Sequence, residues 1–120
     1  MPIRSLHSSV MRWPDRDTVD AAVRAWAAAQ VEGRPELTRL GYFGSYARGD
    51  WGVGSDVDLV AVVASASRPF RERGRDWDTT SLPVPADILI YTGDEFADVV
   101  DRGDRFAVVM STEVVWVYRR

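Results

Sequence analysis

Leu37-Thr38-Arg39-Leu40-Gly41-Tyr42-Phe43-Gly44-Ser45-Tyr46-Ala47-Arg48-Gly49, followed after a short loop by Ser55-Asp56-Val57-Asp58-Leu59-Val60-Ala61-Val62-Val63, is the stretch on which the reading of this 120-residue chain turns. Leu37 to Phe43 has strand composition and stops at Gly44-Ser45. Tyr46 to Asp50 then suits one or two helical turns, Trp51 to Ser55 is a glycine-rich loop, and Asp56 to Val63 is a strongly β-branched strand. A Gly-Ser step between a strand and a helical turn is a natural anion cradle. Glycine lets an anion approach the backbone, the free N–H groups of the turn point at it, and Ser45 adds a hydroxyl donor. Arg48, three residues on, lies near the same face with a forked cation. Its competing use is an ion pair with a neighbour such as Asp50.

Residues two apart on a strand share a face, so Asp56 and Asp58 stand side by side at the head of an otherwise apolar strand. Held together away from water, two carboxylates repel and one would protonate. A divalent cation removes that conflict, and rigid oxygen ligands suit Mg²⁺, which keeps waters and shares substrate phosphates. Asp87 opens a second apolar strand, Ala86 to Tyr91. Where that strand neighbours the first, Asp87 completes a carboxylate triad. Two ions about 3.5–4 Å apart could then clamp the attacking and leaving oxygens of a displacement.

Outward from this centre, residues 1 to 14 read as an N-terminal arm and residues 15 to 120 as one domain. Asp15 or Asp17 caps a helix on which Val19, Ala22, Val23, Trp26 and Ala27 recur at helical spacing. Gly33 and Pro35 stop it. The charged segment Arg68 to Asp78 is helix or loop, and its Arg68 to Arg75 run reads first as a solvated face, with RNA, acceptor or phosphate contact as the other use. Gly93-Asp94 starts a helix with Phe96, Val99 and Val100 as its apolar face. Phe106 to Met110 gives a short turn, and Glu113 to Tyr118 gives a final strand. The pattern is an α/β (α+β) domain, one mixed sheet with flanking helices.

Composition narrows the chemistry. The net charge is −3 and the pI near 5.1, which gives no strong support for nucleic-acid binding. There is no cysteine, so disulfides, thiolate metal sites and a cysteine nucleophile are excluded. All 15 basic residues are arginine, which removes lysine as base or phosphate clamp. One histidine, His7, makes a zinc site improbable. No apolar run approaches a membrane span, and the first residues lack signal-peptide features; a cytoplasmic protein is expected. Trp51 suits packing on its own domain, and Trp26 and Trp116 suit core or interface.

Gly44-Ser45-Tyr46-Ala47-Arg48-Gly49 and Ser55-Asp56-Val57-Asp58-Leu59-Val60 together resemble the signature of the minimal nucleotidyltransferase family, within the polymerase-β-like nucleotidyltransferase superfamily. The resemblance spans roughly residues 37 to 118. It implies the polymerase-β-like nucleotidyltransferase fold and transfer of a nucleoside monophosphate, AMP from ATP, with two Mg²⁺ ions. It assigns Gly44 and Ser45 to the triphosphate; Arg48, from its place on the turn, and Ser55, whose other use is to end the loop with a local hydrogen bond, are further candidate nucleotide contacts. Asp56, Asp58 and Asp87 become the metal-binding and catalytic carboxylates. It also implies an acceptor on a partner protein, such as the HEPN toxin of a toxin–antitoxin pair, or a homo-oligomer that completes the site. Two alternatives are a non-catalytic antitoxin acting by occlusion and a small-molecule transferase of the aminoglycoside-modifying type. The Arg68 to Arg75 segment has no counterpart in the family pattern.

Overall fold

The computed structural model describes residues 13–120. The expected arm, residues 1 to 14, therefore falls almost wholly outside the described residues, as does His7. Asp15 is the cap of the first helix: it is extended and accepts the Thr18 N–H at 2.9 Å. The helix, α1, runs Arg16–Gly33 and buries Val19, Val23, Trp26 and Ala27 along one stripe. Strand β1 (Leu37–Phe43) and the single helical turn α2 (Ser45–Arg48) follow, then β2 (Val57–Val63), a 3₁₀ segment (Phe70–Asp76) and β3 (Ala86–Thr92). Helix α3 (Gly93–Asp101) begins with a capping box between Thr92 and Glu95. A short helix α4 (Arg105–Val108), a π turn (Val109–Glu113) and β4 (Val115–Arg119) complete the order.

The sheet is mixed, in the order β3-β2-β1-β4. β1 pairs antiparallel with β2 and with β4, while β2 and β3 are parallel. The parallel pair is joined by the crossover that carries the 3₁₀ segment. Strand alternation divides the core in two. Leu40, Tyr42, Leu59, Ala61 and Ile90 face α1, whereas Val60 and Val62 face Phe96, Val99 and Met110 on the other side. Polar side chains tie the layers: the Trp26 indole donates to the Asp78 carbonyl at 2.8 Å, and the Tyr42 hydroxyl to Asp20 at 2.7 Å. Trp77 is buried beside Trp26, with the Arg34 guanidinium 3.7 Å from its ring centre. Among the described residues, no helix is long and apolar enough to cross a membrane.

The arginine-rich segment is not simply a solvated face. The Arg73 side chain is only 11% exposed. It donates to Glu95 at 2.6 Å, to the Ile90 carbonyl at 3.1 Å and to the Arg68 carbonyl at 2.8 Å. The guanidinium thus locks the crossover onto β3 and α3. Together with the Thr92 N–H, it holds the Glu95 carboxyl down at about 2. A depressed carboxylate contributes stability above its unfolded pKa, and that contribution fades as pH falls toward the folded value. Arg73→Gln should therefore cost about 1 kcal/mol near neutrality, discounted because Glu95 is partly solvated. The penalty should shrink below about pH 4. Thermal melts of both proteins from pH 3 to 7 check this, and a constant difference would show that the ion pair is not its source.

Candidate active site

The antiparallel β1–β2 pairing places Phe43 opposite Asp58, so the turn after β1 and the carboxylates before and within β2 meet at one end of the sheet. In the parallel pair, Asp58 lies beside Asp87. Asp58 and Asp87 each alternate with residues buried toward α1, so both sit on the other face of the sheet, the face that Val60 and Tyr91 share. Asp56, two residues before Asp58, precedes the same strand.

Gly44 carries φ +81 and ψ −152, a conformation open essentially to glycine alone. It is buried, and a Cβ added there would fall on the Asp58 carboxylate. The glycine therefore turns the chain out of β1 and lets its backbone lie directly against Asp58. Tyr46 anchors the next turn: it is fully buried, its hydroxyl donates to the Pro14 carbonyl at 2.9 Å, and Trp51 stacks on its ring at 5.7 Å. The loop tryptophan thus packs on its own domain.

Phe43, Gly44, Ser45, Arg48, Asp56, Asp58, Phe106, Val109 and Glu113 line one open cleft of about 450 Å³. The fold thus brings together five of the seven residues singled out from sequence. The other two stand apart from the cleft wall. Asp87 is exposed on the neighbouring strand beside Asp58. Ser55 braces the loop, its hydroxyl accepting the Gly52 N–H at 2.9 Å. Arg48 pairs with Asp50 at 3.1 Å, the competing use allowed by sequence, and reaches Glu113 at 3.3 Å with another nitrogen.

Asp58 is the electrostatic centre. Burial is the main influence raising its pKa, and the negative charges of Asp87 and Asp56 push the same way; Arg48 acts in the opposite sense. Such a carboxylate is costly to ionise without a cation. Among the described residues, no three carboxylate or imidazole groups converge as a ready-made metal cage. The donor set is nevertheless of the kind Mg²⁺ takes, one or two carboxylates with substrate phosphates and water supplying the remainder.

Glu113 is a functional candidate that sequence alone does not mark, since composition puts it at the head of the last strand. Instead β4 begins at Val115, and Glu113 ends the π turn. The Ser111 and Thr112 hydroxyls donate back to the Ala107 and Val108 carbonyls of α4, a local competition that favours irregular helix. Its carboxylate accepts the Gly44 N–H at 3.4 Å. The signal lies in topology: with β4 antiparallel to β1 and Val115 opposite Tyr42, the residue two before Val115 falls opposite Gly44.

A four-stranded mixed sheet with flanking helices, bearing paired carboxylates opposite a Gly-Ser turn, defines a nucleotidyltransferase domain. Residues 28–113 match the nucleotidyltransferase domain family, and the chain belongs to it. Among solved structures, the fold is similar to that of a candidate nucleotidyltransferase from Sulfolobus solfataricus, with 18% identity, a TM-score of 0.64, and coverage of 88% of this chain and 84% of that one. It is also similar to a structure described as a toxin–antitoxin with AMP-PNP, with 15% identity, a TM-score of 0.52, and coverage of 89% and 75%. At these identities the likeness is one of fold. No curated protein sequence matches the chain.

Proposed function

We propose that the protein is a Mg²⁺-dependent nucleotidyltransferase that moves AMP from ATP onto a hydroxyl of a partner protein. The observation that carries this reading is that Asp56 and Asp58 share one cleft with Gly44, Ser45 and Arg48. Membership of the nucleotidyltransferase domain family supports the reaction class. ATP as donor and a toxin as partner, of the HEPN type, draw support from the resemblance of the motif and from the similar fold described as a toxin–antitoxin with AMP-PNP.

In this reading the Gly44 N–H, the Ser45 hydroxyl and Arg48 hold the triphosphate, and Asp56 and Asp58, with Asp87 beside them, hold Mg²⁺. Bound there, the cation offsets phosphate charge and makes the acceptor hydroxyl easier to deprotonate. Asp87, exposed at the site's edge, accepts the proton. The acceptor oxygen forms a bond to the α-phosphorus as the bond to the bridging oxygen breaks, and pyrophosphate leaves. The open, shallow cleft leaves most of the acceptor's recognition to the acceptor's own surface. This favours a macromolecule over a small sugar, which needs an enclosing pocket.

Calorimetric titration of ATP with and without Mg²⁺, on wild type and on Asp56→Ala/Asp58→Ala, tests the site. Wild type should bind in a Mg²⁺-dependent manner, and the double variant should lose about tenfold or more in affinity. Labelled transfer onto a co-purified partner tests the chemistry. A double variant that neutralised its partner as well as wild type would point to occlusion instead.

A further inference from the structure

Glu113 occupies the place where the proposed reading puts a phosphate. It presents one carboxylate oxygen, Oε1, to both the Gly44 N–H at 3.4 Å and the Arg48 guanidinium at 3.3 Å. Those are two of the three donors assigned to the triphosphate, and here they converge on an anion supplied by the chain itself. Both contacts are long for charge-assisted hydrogen bonds. The Glu113 side chain is 23% exposed and already touches water, so swinging outward regains hydration and costs only its two long contacts. Arg48 does not depend on it for its orientation, because Asp50 holds the guanidinium from another edge.

The position in the fold allows movement. Glu113 is the last residue of the π turn, and Val114 after it is extended. Single π turns are rare and recur at functional sites. Glu113 also lines two openings at once. One is the cleft with Asp56 and Asp58, and the other is bounded by Arg48, Arg105, Val108 and Val109. Arg48, Val109 and Glu113 line both, so the Arg48–Glu113 bridge is part of the wall between them.

We infer that Glu113 is a specificity-determining residue, an internal phosphate surrogate that a triphosphate must displace and that favours entry of the nucleotide as its divalent-metal complex. The inference rests on the reading of Gly44, Ser45 and Arg48 as the phosphate cradle. A bare triphosphate brings its full charge against a carboxylate already seated on the donors. A metal-bound triphosphate brings less, and its cation attracts the displaced carboxylate instead of repelling it.

The test is ATP binding by calorimetry, with Mg²⁺ and with a chelator, on wild type, Glu113→Gln and Glu113→Ala. Both variants should bind ATP about tenfold more tightly than wild type in chelator and about twofold more tightly with Mg²⁺. The Mg²⁺ dependence of affinity should shrink accordingly. Affinities equal to wild type in both conditions would overturn the inference. Weaker binding by both variants would also overturn it, since Glu113 would then be a positioning partner of Arg48. Asp58→Asn separates the two layers of the reading. If wild type binds ATP and Asp58→Asn loses the Mg²⁺ dependence while the Glu113 variants match wild type, only the surrogate role fails. If ATP binds none of the proteins in either condition, the cradle reading fails and takes this inference with it.

Discussion

Asp58→Asn should lower nucleotidyl transfer by about 10²–10³-fold, the scale on which loss of one preorganised electrostatic group is felt, while leaving the protein folded. Asp58 is the half-buried member of the carboxylate set, on a strand paired on both sides, so it is the least able to be replaced by water. Asparagine keeps its shape and removes its charge. The same substitution should raise the melting temperature of the metal-free protein. Burial first, then Asp87 and Asp56, raise the Asp58 pKa in the folded state. A carboxyl so raised favours folding while it is protonated. Its contribution is intact below the unfolded value, about pH 4, and is lost as pH rises through the folded value. The variant's advantage should therefore open as pH increases from 4 and narrow when Mg²⁺ is added to the wild type. Labelled transfer assays and melting curves across pH measure the two effects. Full activity in the variant would remove Asp58 from the chemistry, and a melting difference that ignores pH would remove the charge conflict as its cause.

Gly44→Ala is the second large effect. Two effects coincide: a conformation that an L-residue adopts only under strain, worth about 1–3 kcal/mol, and overlap of the new methyl with the Asp58 carboxylate, which must turn aside and so leaves its place in the site. A fall of about 10 °C in melting temperature follows for a domain of this size, together with loss of Mg²⁺-dependent ATP binding. Gly49 provides the control. It also has a positive φ, +90, but nothing lies within 4 Å of a Cβ built there. Gly49→Ala should therefore show strain alone and retain ATP binding. If the two variants behaved alike in titration, the closeness of Gly44 to Asp58 would not matter to the site.

The elements around the motif were largely legible because their signals are local. β1 has the bounds Leu37–Phe43 expected from composition, and β2 differs by one residue because Asp56 remains outside the ladder. The capped start of α1 at Asp15 and the start of α3 at Gly93 follow from short-range hydrogen bonds that a sequence displays directly. What stayed hidden depends on partners far along the chain. Arg73 looked like one charge among many because its partners, Ile90 and Glu95, become neighbours only through the parallel crossover. Glu113 resembled the start of a strand because its neighbour Val114 continues a β-branched run, while the hydroxyls of Ser111 and Thr112 instead sustain one more turn. The cleft could be inferred as a set of residue types; the Arg48–Glu113 bridge in its wall could not.

The two pairings that build the site differ in how soon they can form. The antiparallel β1–β2 hairpin joins segments close in sequence, and it alone sets Gly44 against Asp58. The parallel β2–β3 pairing that brings Asp87 beside Asp58 requires the whole crossover to be in place. Non-local pairings of this kind are slow. On refolding, the phosphate-facing half of the site should therefore exist before the third carboxylate arrives. The order also has a use for the chain: the repulsion that Asp87 adds to Asp58 is met only after most of the core is there to hold them.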